Sequence, residues 1–226
     1  MSDTAESQTF DAIVVGAGHN GLVTAAYLAR GGMNTLLVEA RSHVGGTAAS
    51  VSFAGATVNI CNCDHLTFRT TPLMSELGLA DHGLEYIDVE PAQHNMAWQG
   101  AQTSASWSHH HDLETTLESI GASFPREVDG YRRYVRAASP AIEMIFAAAS
   151  EPPTLRGLAK LAMSKRLAGT PTLLRWSRRC AADVLRSFFN VDAISGPGAM
   201  TGPMVWGISP EFSGSGLGAL THAMRH

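Results

Sequence analysis

Three cysteines in 226 residues, Cys61, Cys63 and Cys180, are too few and odd in number for a disulfide framework. Their scarcity excludes the small stapled secreted scaffolds and fits a reducing compartment such as the cytoplasm. Long apolar runs are lacking too. Residues 137–149 and 184–191 are interrupted by Pro140, Glu143, Arg186 and Asn190, so none approaches the roughly 18 continuous apolar residues of a spanning helix. The opening segment MSDTAESQT has neither a basic region nor an apolar core and reads as a short frayed terminus, not a signal peptide. The expectation is a cytoplasmic protein, soluble or at most peripheral to a membrane. Acids are nearly missing from residues 155–187, where eight of the 16 Lys and Arg stand against Asp183 alone. That segment carries +7 and leaves −11 for the rest of a chain whose net charge is −4. Trp176 is its one aromatic, and no base-reading motif is present, which argues against nucleic acid as the partner.

What the chain does have is apolar residues, 45% of the total, enough for a substantial core. The stretch FDAIVVGAG reads as a short strand running into glycines. From about Asn20 to Arg30, Leu22, Ala25, Ala26 and Leu28 fall at helical spacing, and MNTLLVE reads as a second strand. A βαβ start of this kind predicts a parallel sheet buried on both faces. Beyond it, ASVSFAGATVNI, LEYIDVEP, HNMAWQG and TSASWSH alternate like strands and hairpins. Helical patterns follow over 112–120, 127–149, 154–167 and 172–189. The Gly, Pro and Ser rich segment from Ser195 to Gly218 reads as a connection before a last short helix, and there is no internal repeat.

Gly16, Gly18 and Gly21 form G-x-G-x-x-G at the strand-to-helix turn, and Glu39 closes the second strand 21 residues after Gly18. In this pattern the first glycine permits the turn, the second lets the backbone approach a pyrophosphate, and the third packs helix on strand. The amides near Gly16, Gly18, His19, Asn20 and Gly21, at the positive end of the helix, would hold the phosphates. Glu39 would accept ribose hydroxyls and repel a 2′-phosphate, so NADP is disfavoured while NAD and FAD both stand.

DAIVVGAGHNGLVTAAYLARGG and EARSHVGGTA resemble the N-terminal part of the phytoene desaturase-related flavoproteins, a group that includes the bacterial carotenoid desaturases. Weaker similarity runs through ATVNICNCDHLTF, LMSELGLADHGLEYI, VDGYRRYV and SGSGLGALTHAM. The resemblance implies FAD as cofactor, with Ala40, Arg41 and the Gly45, Gly46, Thr47 turn joining the binding set. It implies an α/β fold, in which a Rossmann-like FAD-binding domain is interleaved with an α+β substrate domain. Residues 1–75 would be the N-terminal part of the first and 76–226 mainly the N-terminal part of the second. The implied activity is hydride transfer from a C–H bond of a small, apolar organic substrate to flavin N5, with reoxidation by oxygen or a quinone-like acceptor. A flavin amine oxidase-like enzyme and a non-catalytic nucleotide-binding subunit are the alternatives.

In the resembling family the chain after the glycine pair returns beside the flavin ring, which makes Asn59, Asn62 and His65 candidate flavin neighbours. The family also continues into further strands and a Gly-Asp flavin motif that this sequence lacks, so the fold is expected to be incomplete and completed by a second protein chain. A dithiol reductase would need a redox cysteine pair after the glycine pair, where GGTAASVSF has none. Cys61 and Cys63 read as structural thiols with no metal, and SHHHD, residues 108–112, as a solvated loop before a helix capped by Asp112. Trp98 and Trp107 are expected to pack a hairpin. The basic segment, with Leu155, Leu158 and Leu161 beside Lys160, is read as a solvated face, with an anionic membrane as the alternative.

Overall fold

The computed structural model describes residues 8–60, 66–69, 71–99, 102–149, 154–164 and 168–226. It divides into two compact units, Met1–Glu85 and Tyr86–His226.

In the first unit, β1 (Ala12–Val15) and β2 (Thr35–Val38) pair in parallel, with Ala12 opposite Thr35 and Val15 opposite Val38. The helix α1 (His19–Arg30) makes the crossover that parallel pairing requires. It ends where the Gly31 N–H donates to the Tyr27 carbonyl at 2.9 Å and Gly32 turns with φ +86°. The expected burial on both faces is not met. Ile13 is 61% and Val15 82% exposed, because α1 covers only the face that carries Val14. An antiparallel hairpin follows, β3 (Ser50–Phe53) and β4 (Ala56–Asn59), closed by Ala54 and Gly55, both at positive φ. Two such residues give the mirror-image turn whose twist suits a two-residue hairpin loop. Two short helices, α2 (Leu66–Arg69) and α3 (Leu73–Glu76), complete the unit. The Tyr27 hydroxyl of α1 donates to the Glu76 carboxylate and ties α3 to the βαβ motif.

The second unit is built on the hairpin of β5 (Gln93–Gln99) and β6 (Gln102–His109), with Asn95 opposite Trp107. Of the helices that follow, α4 (Leu113–Ser123) packs on β6 and α9 (Asp192–Thr201) on β5, while α5 (Val128–Ala149), α6 (Leu155–Ser164), α7 (Thr170–Trp176) and α8 (Ala181–Arg186) pack among themselves, with α4 and α9, and with a 3₁₀ stretch over Ser215–Arg225. As expected, Asp112 caps α4, its Oδ1 accepting the Thr115 N–H at 2.8 Å. The core is aromatic at its centre. Tyr134 stacks on Trp176 with centroids 6.2 Å apart, and Trp107, Tyr131, Leu185 and Leu220 are buried around them.

Four expectations are corrected here. LEYIDVEP forms no strand, and Ile87 and Val89 are exposed; among the described residues no strand lies alongside to pair with it. The single helix expected over 172–189 breaks at Ser177–Cys180, where the Arg179 carbonyl is taken by the amides of Gly214 and Gly216. The supposed connection contains α9, although Pro197 lies inside it. Proline cannot donate to the carbonyl four residues back, Ala193. That carbonyl accepts the indole N–H of Trp107 at 2.9 Å instead, so the lost helical bond is replaced. Finally, His109 is not in a solvated loop. It ends β6 fully buried, its Nε2 lying 3.0 Å from His226 Nε2, while His110 Nδ1 pairs with Glu90 Oε1 at 2.6 Å. Among the described residues no cluster of His, Cys, Asp or Glu is arranged to hold a metal ion.

Candidate functional site

The site is assembled from two glycine turns that lie against each other. The first leaves β1: the Gly16 N–H donates to the Val38 carbonyl at 2.7 Å, extending the ladder by one residue, and Gly16 then turns with φ +98°. The second follows β2. Gly45 donates its N–H to the Ala17 carbonyl at 2.8 Å and forms a parallel bridge with Gly18. At Gly46 a Cβ would stand 3.0 Å from the Gly18 Cα, so only glycine lets the two turns cross this closely.

The three glycines of the first turn are held for different reasons. Gly16 needs its positive φ. Gly21 packs so tightly that a Cβ would lie 1.9 Å from the Gly16 carbonyl oxygen, which fixes the helix against the turn. Gly18 is different. Its backbone is ordinary extended chain, φ −72° and ψ 174°, and a Cβ there would meet only the Gly46 Cα at 3.8 Å, an unstrained contact. The chain's own packing does not require glycine at this position. What a side chain would occupy is open space at the first turn of α1, where unsatisfied helix amides attract anions. Close approach of a nucleotide pyrophosphate would account for it, and the residues present fit the group.

Glu39 stands at the end of β2 and is anchored by both carboxylate oxygens. Oε2 accepts the Ala17 N–H at 2.7 Å and Oε1 accepts the Arg41 N–H at 3.0 Å. These bonds, the one from Arg41 first, hold its carboxyl below the ordinary value of 4.5, so it is ionised at neutral pH. A carboxylate has about four acceptor positions, so it can take a further donor besides these amides.

The structure thus brings together Gly16, Gly18, Gly21, Glu39, Arg41, Gly45 and Gly46. His19 and Asn20 are exposed in the first turn of α1, and Ala40, Arg41 and Thr47 are exposed around the second turn. Asn59 ends β4 opposite Ser50, and the next amide, of Ile60, donates to the Ala49 carbonyl at 3.0 Å, so the chain returns beside the glycine pair. Asn62, His65, Cys61 and Cys63 lie outside the described residues. Sequence reasoning missed Ala17, whose N–H and carbonyl join the two turns. It acts through its backbone, which leaves no mark on residue type.

The second unit holds a separate cleft of about 840 Å³ between β5 and α9. Its lining includes Asn95, Met96, Phe124, Val191, Gly196 and Met200, mostly apolar. In α9 Gly198 lies close against the Leu185 side chain, and just past its end Gly202 is held by the Gly218 carbonyl, which a Cβ would meet at 2.0 Å. Gly196 meets nothing within 4 Å, and its missing side chain leaves the cleft open.

Residues 14–75 match the NAD(P)-binding Rossmann-like domain family. Fold and family match together define an α/β, Rossmann-like nucleotide-binding unit at the start of the chain. The chain is 35% identical over 128 residues to one of the subunits of limonene dehydrogenase from Castellaniella defragrans, a match covering 57% of this chain and 23% of that protein. It is 40% identical over 77 residues to pyridine nucleotide-disulfide oxidoreductase domain-containing protein 2 of Mus musculus, covering 34% of this chain and 13% of that protein. An uncharacterized protein of Mycobacterium tuberculosis is 41% identical over 80 residues, covering 34% and 15%. Each match therefore spans less than a quarter of the relative's length.

Proposed function

We propose that the chain is part of a FAD-dependent oxidoreductase that removes hydride from a C–H bond of an apolar organic substrate. The observation that carries this is Gly18, a glycine the chain's packing leaves unexplained and a pyrophosphate explains. The amides at the start of α1 bind the pyrophosphate, Glu39 fixes a ribose, and the Gly45–Gly46 turn passes close to the dinucleotide. FAD rather than NAD is favoured by that second glycine turn, and the lack of cysteine in GGTAASVSF separately removes the dithiol chemistry of related nucleotide folds. When bound, FAD supplies the hydride acceptor at N5. Residues 1–75 carry the cofactor and 76–226 mainly the substrate domain, where the β5–α9 cleft receives the apolar substrate. Asn59, Asn62 and His65 border the flavin.

A second polypeptide supplies further strands and the rest of the flavin site. The uncovered Ile13 and Val15 of β1 support this, since strands of a parallel sheet are normally covered on both faces. So does the relative from Castellaniella defragrans, which is itself one subunit of a limonene dehydrogenase and whose name also supports an apolar substrate.

Titration of the purified chain and of its assembly with FAD and with NAD tests the cofactor. Preference for NAD overturns the reading, as does a flavin that no alkene, alcohol or amine bleaches without oxygen in the full assembly. A chain that alone is monomeric, holds one FAD and turns over substrate overturns the need for a partner.

A further inference from the structure

The helix α6 is almost wholly exposed. Leu155 is 89%, Leu158 42% and Met163 69% exposed, and among the described side chains only Gly157 and Leu161 are half-buried. Successive helix residues advance by about 100°, which places Leu155, Leu158, Ala159 and Met163 within one arc of about 140°. Gly157 and Leu161 fall on the opposite side. The protein thus covers one flank of the helix and leaves an apolar stripe facing outward. Arg156 and Lys160, both exposed, border that stripe along one side, and α6 contains no acid. The Thr154 hydroxyl accepts the Gly157 N–H at 3.0 Å, capping the helix start.

Charge decides among the occupants such a stripe admits. A second copy of this chain brings the same excess of positive charge to the contact, because residues 155–187 hold eight basic residues and one acid. A bilayer with anionic lipid offers an apolar boundary for Leu155, Leu158 and Met163 and negative headgroups for the flanking cations at the same depth.

We infer that α6 is an interfacial anchor that lays its Leu155, Leu158 and Met163 stripe into an anionic membrane surface. Among the described residues no helix is long and apolar enough to cross a membrane. Each cation near such a surface contributes about fivefold in partitioning, and the buried leucines add to it.

The full chain is sedimented with vesicles of pure phosphatidylcholine and with vesicles of phosphatidylcholine and phosphatidylglycerol in equal parts. Binding is expected with the second only, fading as salt rises from about 0.05 to 0.5 M. Neutralising both cations, Arg156→Gln with Lys160→Gln, is expected to weaken it about thirtyfold. Leu155→Ala with Leu158→Ala abolishes it. All four residues are exposed, so the fold is kept. Hydrogen exchange supplies the local readout, with anionic vesicles slowing the amides of residues 155–164. Equal binding to both vesicles, protection confined to other segments, or binding only to an acidic protein or a second copy would overturn the assignment.

Discussion

The Ala17 amide and the Glu39 carboxylate, 22 residues apart, meet at 2.7 Å and join the two glycine turns through one hydrogen bond. The bond makes Glu39 both a ligand group and a brace for the loop it serves. Replacing Glu39 by Gln removes the charge from an acceptor of two amides, and FAD affinity should fall about ten- to hundredfold. Isothermal titration measures it, and unchanged affinity would count against the ribose role.

The same residue carries a pH signature. Because hydrogen bonds lower its carboxyl in the folded state, its contribution to stability is fully present above the ordinary value of 4.5. It is lost as pH falls through the lower folded value. The difference in thermal stability between the wild type and Glu39→Gln should therefore be constant from neutral pH down to about the ordinary value and shrink below it. A difference that grows on acidification would contradict this.

Two alanine substitutions in one turn should behave oppositely. Gly21→Ala drives a Cβ to 1.9 Å from the Gly16 oxygen and should unfold the first unit. Gly18→Ala meets no such contact and should leave the melting temperature in place while FAD affinity falls at least about tenfold. Circular dichroism paired with flavin titration separates the two, and normal affinity in Gly18→Ala would remove the main support for nucleotide binding.

Trp107 and Pro197 form a testable pair. Trp107→Phe leaves the Ala193 carbonyl without its indole donor and should cost about 1–3 kcal/mol in denaturant unfolding. Adding Pro197→Ala restores a backbone N–H four residues along the helix. It should recover about 1 kcal/mol more in the Trp107→Phe background than in the wild type. Purely additive effects would mean that the indole does not replace the helical bond.

Gly196→Phe fills open space beside α9 and should leave stability unchanged or slightly higher, since glycine inside a helix costs about 1 kcal/mol. If the β5–α9 cleft receives substrate, the variant should retain FAD and lose turnover in the full assembly. Normal turnover would move the substrate elsewhere.

The first turn, its glycines and the place of Glu39 at the end of β2 were legible in the sequence because each rests on a local demand: a positive φ, a close helix contact, the end of a strand. The hairpin turn and the Asp112 cap were legible for the same reason. What sequence could not decide depended on neighbours far along the chain. Ala17 works through backbone groups that any residue has. The helix across Pro197 exists because Trp107, far earlier in the chain, takes the orphaned carbonyl, and the break after Trp176 exists because the 214–216 loop claims the Arg179 carbonyl. The alternation in LEYIDVEP met the local requirement of a strand, but among the described residues no strand pairs with it. His109 looked like one of three solvated histidines until the end of β6 turned it into the core. Local chemistry fixes which conformations a segment tolerates, while long-range packing and hydrogen bonding select the one it keeps.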